Sequence, residues 1–117
     1  MPILRNLSCV TPKKEDKPLS VREFDEYQSQ VPDWNIIEEQ SIKRLQKEFN
    51  FDEYRMALEF SFKVGELAEA EDHHPTIFTE WGKVTVTWWT HFIKGLHKND
   101  MITAAKSDQI YEELISK

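Results

Sequence analysis

A single cysteine, Cys9, stands in this chain of 117 residues, so no intramolecular disulfide can form. That usage fits a reducing compartment. Long apolar runs are missing as well, and with them any stretch able to span a bilayer. The opening MPILRNLSCV lacks the longer apolar core of a secretory signal, so the expected location is cytoplasmic. Basic residues are outnumbered: 15 lysines and arginines against 21 acids leave a formal net charge of −6. That balance argues against the basic patch of a nucleic-acid binder. Internal repeats and low-complexity tracts are absent too, and the length suits one domain with its own core.

What is present is concentrated between Glu69 and Asp100, in EAEDHHPTIFTEWGKVTVTWWTHFIKGLHKND. All four histidines lie there, and three stand out: His73 and His74 side by side, and His91 farther on. Histidine is the side chain whose unperturbed pKa lies nearest neutrality, so a meeting of three points to proton transfer. Extended geometry makes the meeting plausible. In KVTVTWWT, Val84, Val86 and Trp88 share one strand face, while Thr85, Thr87, Trp89 and His91 share the other. Pro75 biases His74 toward extended backbone, which puts the pair where a helix gives way to a strand. Gly82 marks a turn, and an antiparallel hairpin carries His91 back toward the pair. All three imidazoles are therefore expected in one pocket.

These residues resemble the pterin-4a-carbinolamine dehydratases, whose signature is an acidic residue, a few positions, His-His-Pro, then a strand ending in Thr-His. The matching residues are Glu69, Asp72, His73, His74, Pro75, Lys83, Val84, Thr90, His91, Gly95, Leu96 and Asp100. The similarity runs from about Ser20 onward and looks closest to the bacterial branch. Ile77 stands where an aromatic is usual, and Asn99 where an arginine often precedes the aspartate.

Taken in order, residues 1–18 read as a loosely ordered N-terminal arm, because TPKKEDKP mixes prolines and charges without an apolar period. Residues 19–117 form the expected domain. Ser20 with Glu23 is a capping box, Leu19 and Phe24 are spaced as a hydrophobic staple, and Pro32 ends the first helix. Trp34 to Ile37 reads as a strand, with a polar turn over Glu38 to Ser41. The next stretch is ambiguous. Ile42, Leu45 and Phe49 are spaced as on a helix, whereas the resemblance implies a second strand. Asp52 is placed to cap a long helix reaching about Glu71, with Tyr54, Ala57, Leu58, Phe62 and Gly65 on one stripe. After the hairpin, Asn99 or His97 caps a last helix ending near Lys117. The resulting order, helix, two strands, helix, two strands, helix, is an α+β class. The resemblance implies a four-stranded antiparallel sheet with three helices on one face, and association into homodimers or homotetramers.

The resemblance also implies a reaction. A 4a-hydroxytetrahydropterin (4a-hydroxytetrahydrobiopterin, the pterin-4a-carbinolamine) loses its C4a hydroxyl and its N5 proton, giving the quinonoid dihydropterin and water. The role is tetrahydrobiopterin recycling, with an aromatic amino-acid hydroxylase as pathway partner. A protonated imidazole can donate to the leaving hydroxyl and a neutral one can accept the N5 proton. No metal or redox cofactor is called for, because no electrons leave the molecule. His73, His74 and His91 are implied as the catalytic set, with His73 and His91 as acid/base candidates and His74 orienting the pterin. Around the substrate the resemblance implies Glu69, Asp72, Pro75, Trp89, Thr90, Phe92 and Asp100, the three acids orienting or charge-tuning the imidazoles.

Blander and competing readings stand beside this one. Taken singly, each histidine is more often structural than catalytic. Three histidines and a carboxylate can hold zinc, but adjacent histidines on extended backbone point apart, unlike the two ligands of an H-E-x-x-H helix. Trp88, on the face of Val84 and Val86, reads as core rather than as a stacking platform for the pterin. A scaffold binding transcription regulators, and a pterin role tied to molybdopterin, are the alternatives in function.

Overall fold

Ser20 opens the first helix as its sequence requires. Its hydroxyl accepts from the Glu23 N–H at 3.1 Å, and the Glu23 carboxylate accepts from the Ser20 N–H at 3.0 Å. In the computed structural model, which describes residues 2–116, this box starts α1 (Val21–Gln28), and the helix stops a turn ahead of Pro32. The remaining elements are β1 (Asn35–Glu39), β2 (Ile42–Asn50), α2 (Tyr54–Glu71), β3 (Thr76–Glu80), β4 (Lys83–Trp88) and α3 (Lys98–Ile115). The four strands form one antiparallel sheet in the order β1-β2-β4-β3. The chain is therefore α+β with the element order the sequence implies.

The ambiguous stretch is a strand. A spacing of four, as between Leu45 and Phe49, fits a helix face and a strand face equally. Only the spacing of three from Ile42 to Leu45 favoured helix, and in β2 those two side chains point to opposite faces. Pairing with β4 puts Leu45 opposite Trp88 and Phe49 opposite Val84, so both rows face the helices. Between them Lys47 shares that inward face, and Asp108 of α3 meets its Nζ at 2.8 Å. Trp34 also donates its indole N–H to Asp108, at 3.0 Å. Burial still pushes the Asp108 carboxyl above its ordinary pKa, against the opposing pull of Lys47.

The core lies between this sheet face and the helices α2 and α3. Trp34, Phe49, Phe60, Val64, Val84, Val86, Trp88 and Met101 are fully buried in it. Phe49, Phe51, Phe60 and Tyr111 cluster with ring centroids between 4.6 and 5.9 Å apart. Burying one such ring contributes about 1.5–3 kcal/mol. Trp88 is core, as its strand face requires.

The β1–β2 turn falls within the expected Glu38–Ser41 stretch, while the α2 cap and the N-terminal arm depart from expectation. The β1–β2 hairpin turns on Gln40 and Ser41, both at positive φ (53° and 65°), without the glycine or asparagine that usually signals such a turn. Glu53, not Asp52, is the residue flanking α2, and neither side chain caps it. The N-terminal arm is less loose than its composition implies. Leu4 sits in a 3-10 turn (Leu4–Asn6) and is fully buried in the core. Gln30 holds that turn by accepting the Leu4 N–H at 2.8 Å and donating to the Pro2 carbonyl at 3.0 Å. The β3–β4 turn is where Gly82 puts it, but φ is not the reason. A Cβ there would lie 3.3 Å from the Phe51 carbonyl oxygen, while the Phe51 N–H bonds the Gly82 carbonyl at 2.9 Å.

Candidate active site

The end of α2 determines where the histidine pair points. Asp72 takes the left-handed conformation (φ 51°, ψ 43°), one that aspartate tolerates better than most residues. The His73 N–H then reaches back to the Ala68 carbonyl at 3.1 Å, as in a Schellman motif. This turn throws the His73 ring inward toward α3 and leaves the His74 ring outside.

At the other side, α3 starts with a cap built from histidine. His97 Nδ1 accepts the Asn99 N–H at 3.0 Å, and the His97 N–H donates to Asp100 Oδ2 at 2.9 Å. Of the two candidate caps, His97 is the one used. The capping carboxylate of Asp100 is completely buried and serves two further donors. Thr90 O–H donates to Oδ2 at 2.8 Å, and His73 Nε2 lies 2.6 Å from Oδ1. As a carboxylate Asp100 only accepts, so Nε2 of His73 donates, and among the described residues no hydrogen bond engages its other nitrogen, Nδ1. The same ring stacks on Trp88, with centroids 5.5 Å apart and planes 17° apart. Trp88 in turn donates its indole N–H to Ser107 at 3.3 Å. His73 is thus fixed at one edge by a buried carboxylate and on one face by an indole.

The other expected site residues fall into separate groups. His74 Nε2 pairs with Glu69, and both side chains are exposed. Pro75, half-buried, leads into β3. His91 is exposed, starting a 3-10 turn (His91–Ile93) with its ring centroid 4.6 Å from that of Trp89. Trp89 is buried beneath the Arg44 guanidinium, 4.1 Å from its ring. Phe92 stands exposed beside them. Asp72 contributes its backbone to the turn, and its side chain faces solvent.

The hairpin does return the chain to the histidine pair, since Thr76 pairs with Thr87. Yet the three imidazoles do not converge as one contacting cluster. His73 rests on Trp88 and His91 on Trp89, neighbouring indoles that point to opposite faces of the strand end. Thr90 links the two sides, because it precedes His91 and bonds the carboxylate that holds His73. Among the described residues, no group of three or more histidine, cysteine or acidic side chains is arranged to hold a metal.

Sequence reasoning missed Arg44, Ser107 and Asn99 as contributors here. Arg44 and Ser107 are single residues of common types whose partners lie far away in sequence. Asn99 carried one signal, its departure from the pattern before the aspartate.

Comparison with known proteins gives the family of the chain. The profile of the pterin 4 alpha carbinolamine dehydratase family matches residues 17–110. A Nitrosococcus oceani protein provisionally named pterin-4-alpha-carbinolamine dehydratase is 52% identical over 107 residues, covering 92% of this chain and 95% of its own. A Chlorobium luteolum protein with the same provisional name is 45% identical over 111 residues, covering 95% and 97%. Among solved structures, a transcriptional coactivator/pterin dehydratase from Brucella melitensis superposes with a TM-score of 0.72 at 26% identity, over 80% of this chain and 98% of that one. With its His-His-Pro turn, its buried aspartate and this match along most of its length, the chain belongs to the pterin 4 alpha carbinolamine dehydratase family.

Proposed function

We propose that this protein dehydrates a 4a-hydroxytetrahydropterin to the quinonoid dihydropterin and water, in support of tetrahydrobiopterin recycling in the cytoplasm. The observation that carries the reading is His73, held on Asp100 and stacked on Trp88 in a chain of this family. In the reaction the C4a–O bond breaks and the N5–H electrons become the N5=C4a double bond. One imidazole takes the N5 proton and another gives a proton to the departing hydroxyl. The Asp100 contact fixes the ring of His73 and leaves Nδ1 for that exchange. His91, exposed on Trp89, is the second acid/base group. His74, tethered by Glu69 at the rim, orients the pterin.

The proposal is tested on freshly generated 4a-hydroxytetrahydrobiopterin, followed by ultraviolet absorbance with and without the protein. Dehydration also proceeds unaided, so folded His91→Ala is the control. Acceleration over background that weakens in the variant supports the reading. No acceleration at high protein concentration overturns it.

A second reading has its own support. The Brucella melitensis neighbour bears a coactivator name, and α2 exposes Tyr54, Leu58 and Phe62 along one stripe. That stripe supports a homo-oligomer or a partner-binding role. A folded His73→Ala/His91→Ala protein that keeps its biological role would establish binding over chemistry.

A further inference from the structure

We infer that the N-terminal arm is a positioning element for the His73–Asp100 pair, an inference whose rate readout rests on the dehydratase reading above. The arm residues Cys9 and Val10 touch both chain segments that carry the pair. On the α2 side, Glu71 Oε1 accepts the Cys9 N–H at 2.8 Å, while its Oε2 lies 3.2 Å from Lys106 Nζ of α3. On the α3 side, the Asn99 amide clamps Val10 in both directions. Its Oδ1 accepts the Val10 N–H at 3.0 Å, and its Nδ2 donates to the Val10 carbonyl at 2.7 Å.

Glu71 lies just before the turn that aims His73, and Asn99 is the residue before Asp100. Two adjacent arm residues therefore tie the end of α2 to the start of α3 beside the 2.6 Å contact. Asn99 is 2% exposed, and the hydrogen bonds of its side chain all go to the arm. Undocking would strand a buried amide next to the buried aspartate, so the first turn of α3 would have to shift to find water. Reacting groups are sensitive to such shifts, since a misplacement of about 1 Å can cost ~10²-fold in rate. A cleft of about 310 Å³ remains between the arm and the turn at 70–73, with His73 on its wall. The matched family profile begins at residue 17, downstream of this strap.

The test uses the full chain and Val10→Pro, which deletes the N–H that Asn99 accepts. Val10→Ala keeps that N–H, and the Val10 side chain is exposed, so it is the conservative control. Cys9 reports docking. Burial first, then the Glu71 carboxylate, holds its thiol up at about 12, making it a poor nucleophile while docked. In Val10→Pro, Cys9 should react with a disulfide reagent at least about tenfold faster. The His73 Nε2 proton resonance should lose its protection from exchange, and kcat should fall about tenfold with KM changed less than about twofold. Val10→Ala should match the unmodified protein in all of these. Asn99→Ala, with the same expectations, replaces Val10→Pro should the proline variant not fold.

Exposed Cys9 with an unchanged His73 resonance and unchanged kcat would overturn the inference, as would Cys9 staying masked. If the unmodified protein shows no dehydration, the reaction reading falls. The ring-proton comparison among the three proteins still decides the role of the arm.

Discussion

Replacing Asp100 by asparagine keeps the shape of the side chain and removes one acceptor and the charge. Asp100 now receives His73 Nε2 at 2.6 Å, Thr90 O–H at 2.8 Å and the His97 N–H at 2.9 Å. Oδ2 serves the last two, so an amide oxygen belongs there, and its NH2 group then faces His73 Nε2. Two donors meet unless the imidazole moves its proton to Nδ1. A hydrogen bond to a charged group contributes about 1.5–3 kcal/mol, so the unfolding free energy should fall by roughly 2 kcal/mol. With a urea m-value of about 1.5 kcal/mol/M, the midpoint drops by ~1.3 M. The rate should suffer more. The substitution would leave a proton on His73 Nδ1, where proton abstraction needs a lone pair, and kcat should fall about 10²-fold or more. Urea titration and the absorbance assay read the two effects separately. A variant that loses stability yet turns over normally would refute the role given to His73. Unaltered stability would refute the account of Asp100 itself.

Other perturbations reach other parts of the molecule. Glu69→Gln should alter stability by less than about 0.5 kcal/mol, since its pair with His74 is exposed, while raising KM more than it lowers kcat. Urea titration and steady-state kinetics check the two halves. Gly95→Ala should cost about 1–3 kcal/mol by thermal or urea unfolding, because its Cβ would meet Pro18 Cβ and Cγ at 3.0 Å. The same change should loosen the Thr90–Gly95 bridge that leads into the site. For Glu71, burial pushes the carboxyl up, but the Cys9 N–H and Lys106 outweigh it and hold the pKa below its ordinary value. Its contribution to stability is therefore present above the unfolded carboxylate pKa and lost as pH falls through the lower, folded one. Glu71→Gln should flatten that acid limb in urea titrations across the carboxylate range.

Much of the site could be read from local spacing. The Ser20–Glu23 box, the Gly82 turn and the inward row Val84, Val86, Trp88 each follow from chemistry within a few residues. The β1–β2 turn falls on Gln40 and Ser41, inside the polar stretch where it is expected, although both hold positive φ without carrying the usual residue types. Strand β2 resisted because Leu45 and Phe49 fit both periods, and pairing with β4 settled the matter. Leu4 resisted because no periodic neighbours announce one buried leucine in an arm.

By itself the sequence determined every element of the α+β order except β2, the family and the short list of ionisable groups, since these rest on residue type and near-neighbour spacing. Only the tertiary structure decided how that list is partitioned. His73 goes to the buried Asp100, His74 to an exposed Glu69, and His91 to an indole on the opposite face. The contact from His73 to Asp100 spans 27 residues, and that from Asn99 to Val10 spans 89. Contacts of such span depend on how the sheet brings the two helix ends together, and no local propensity encodes them.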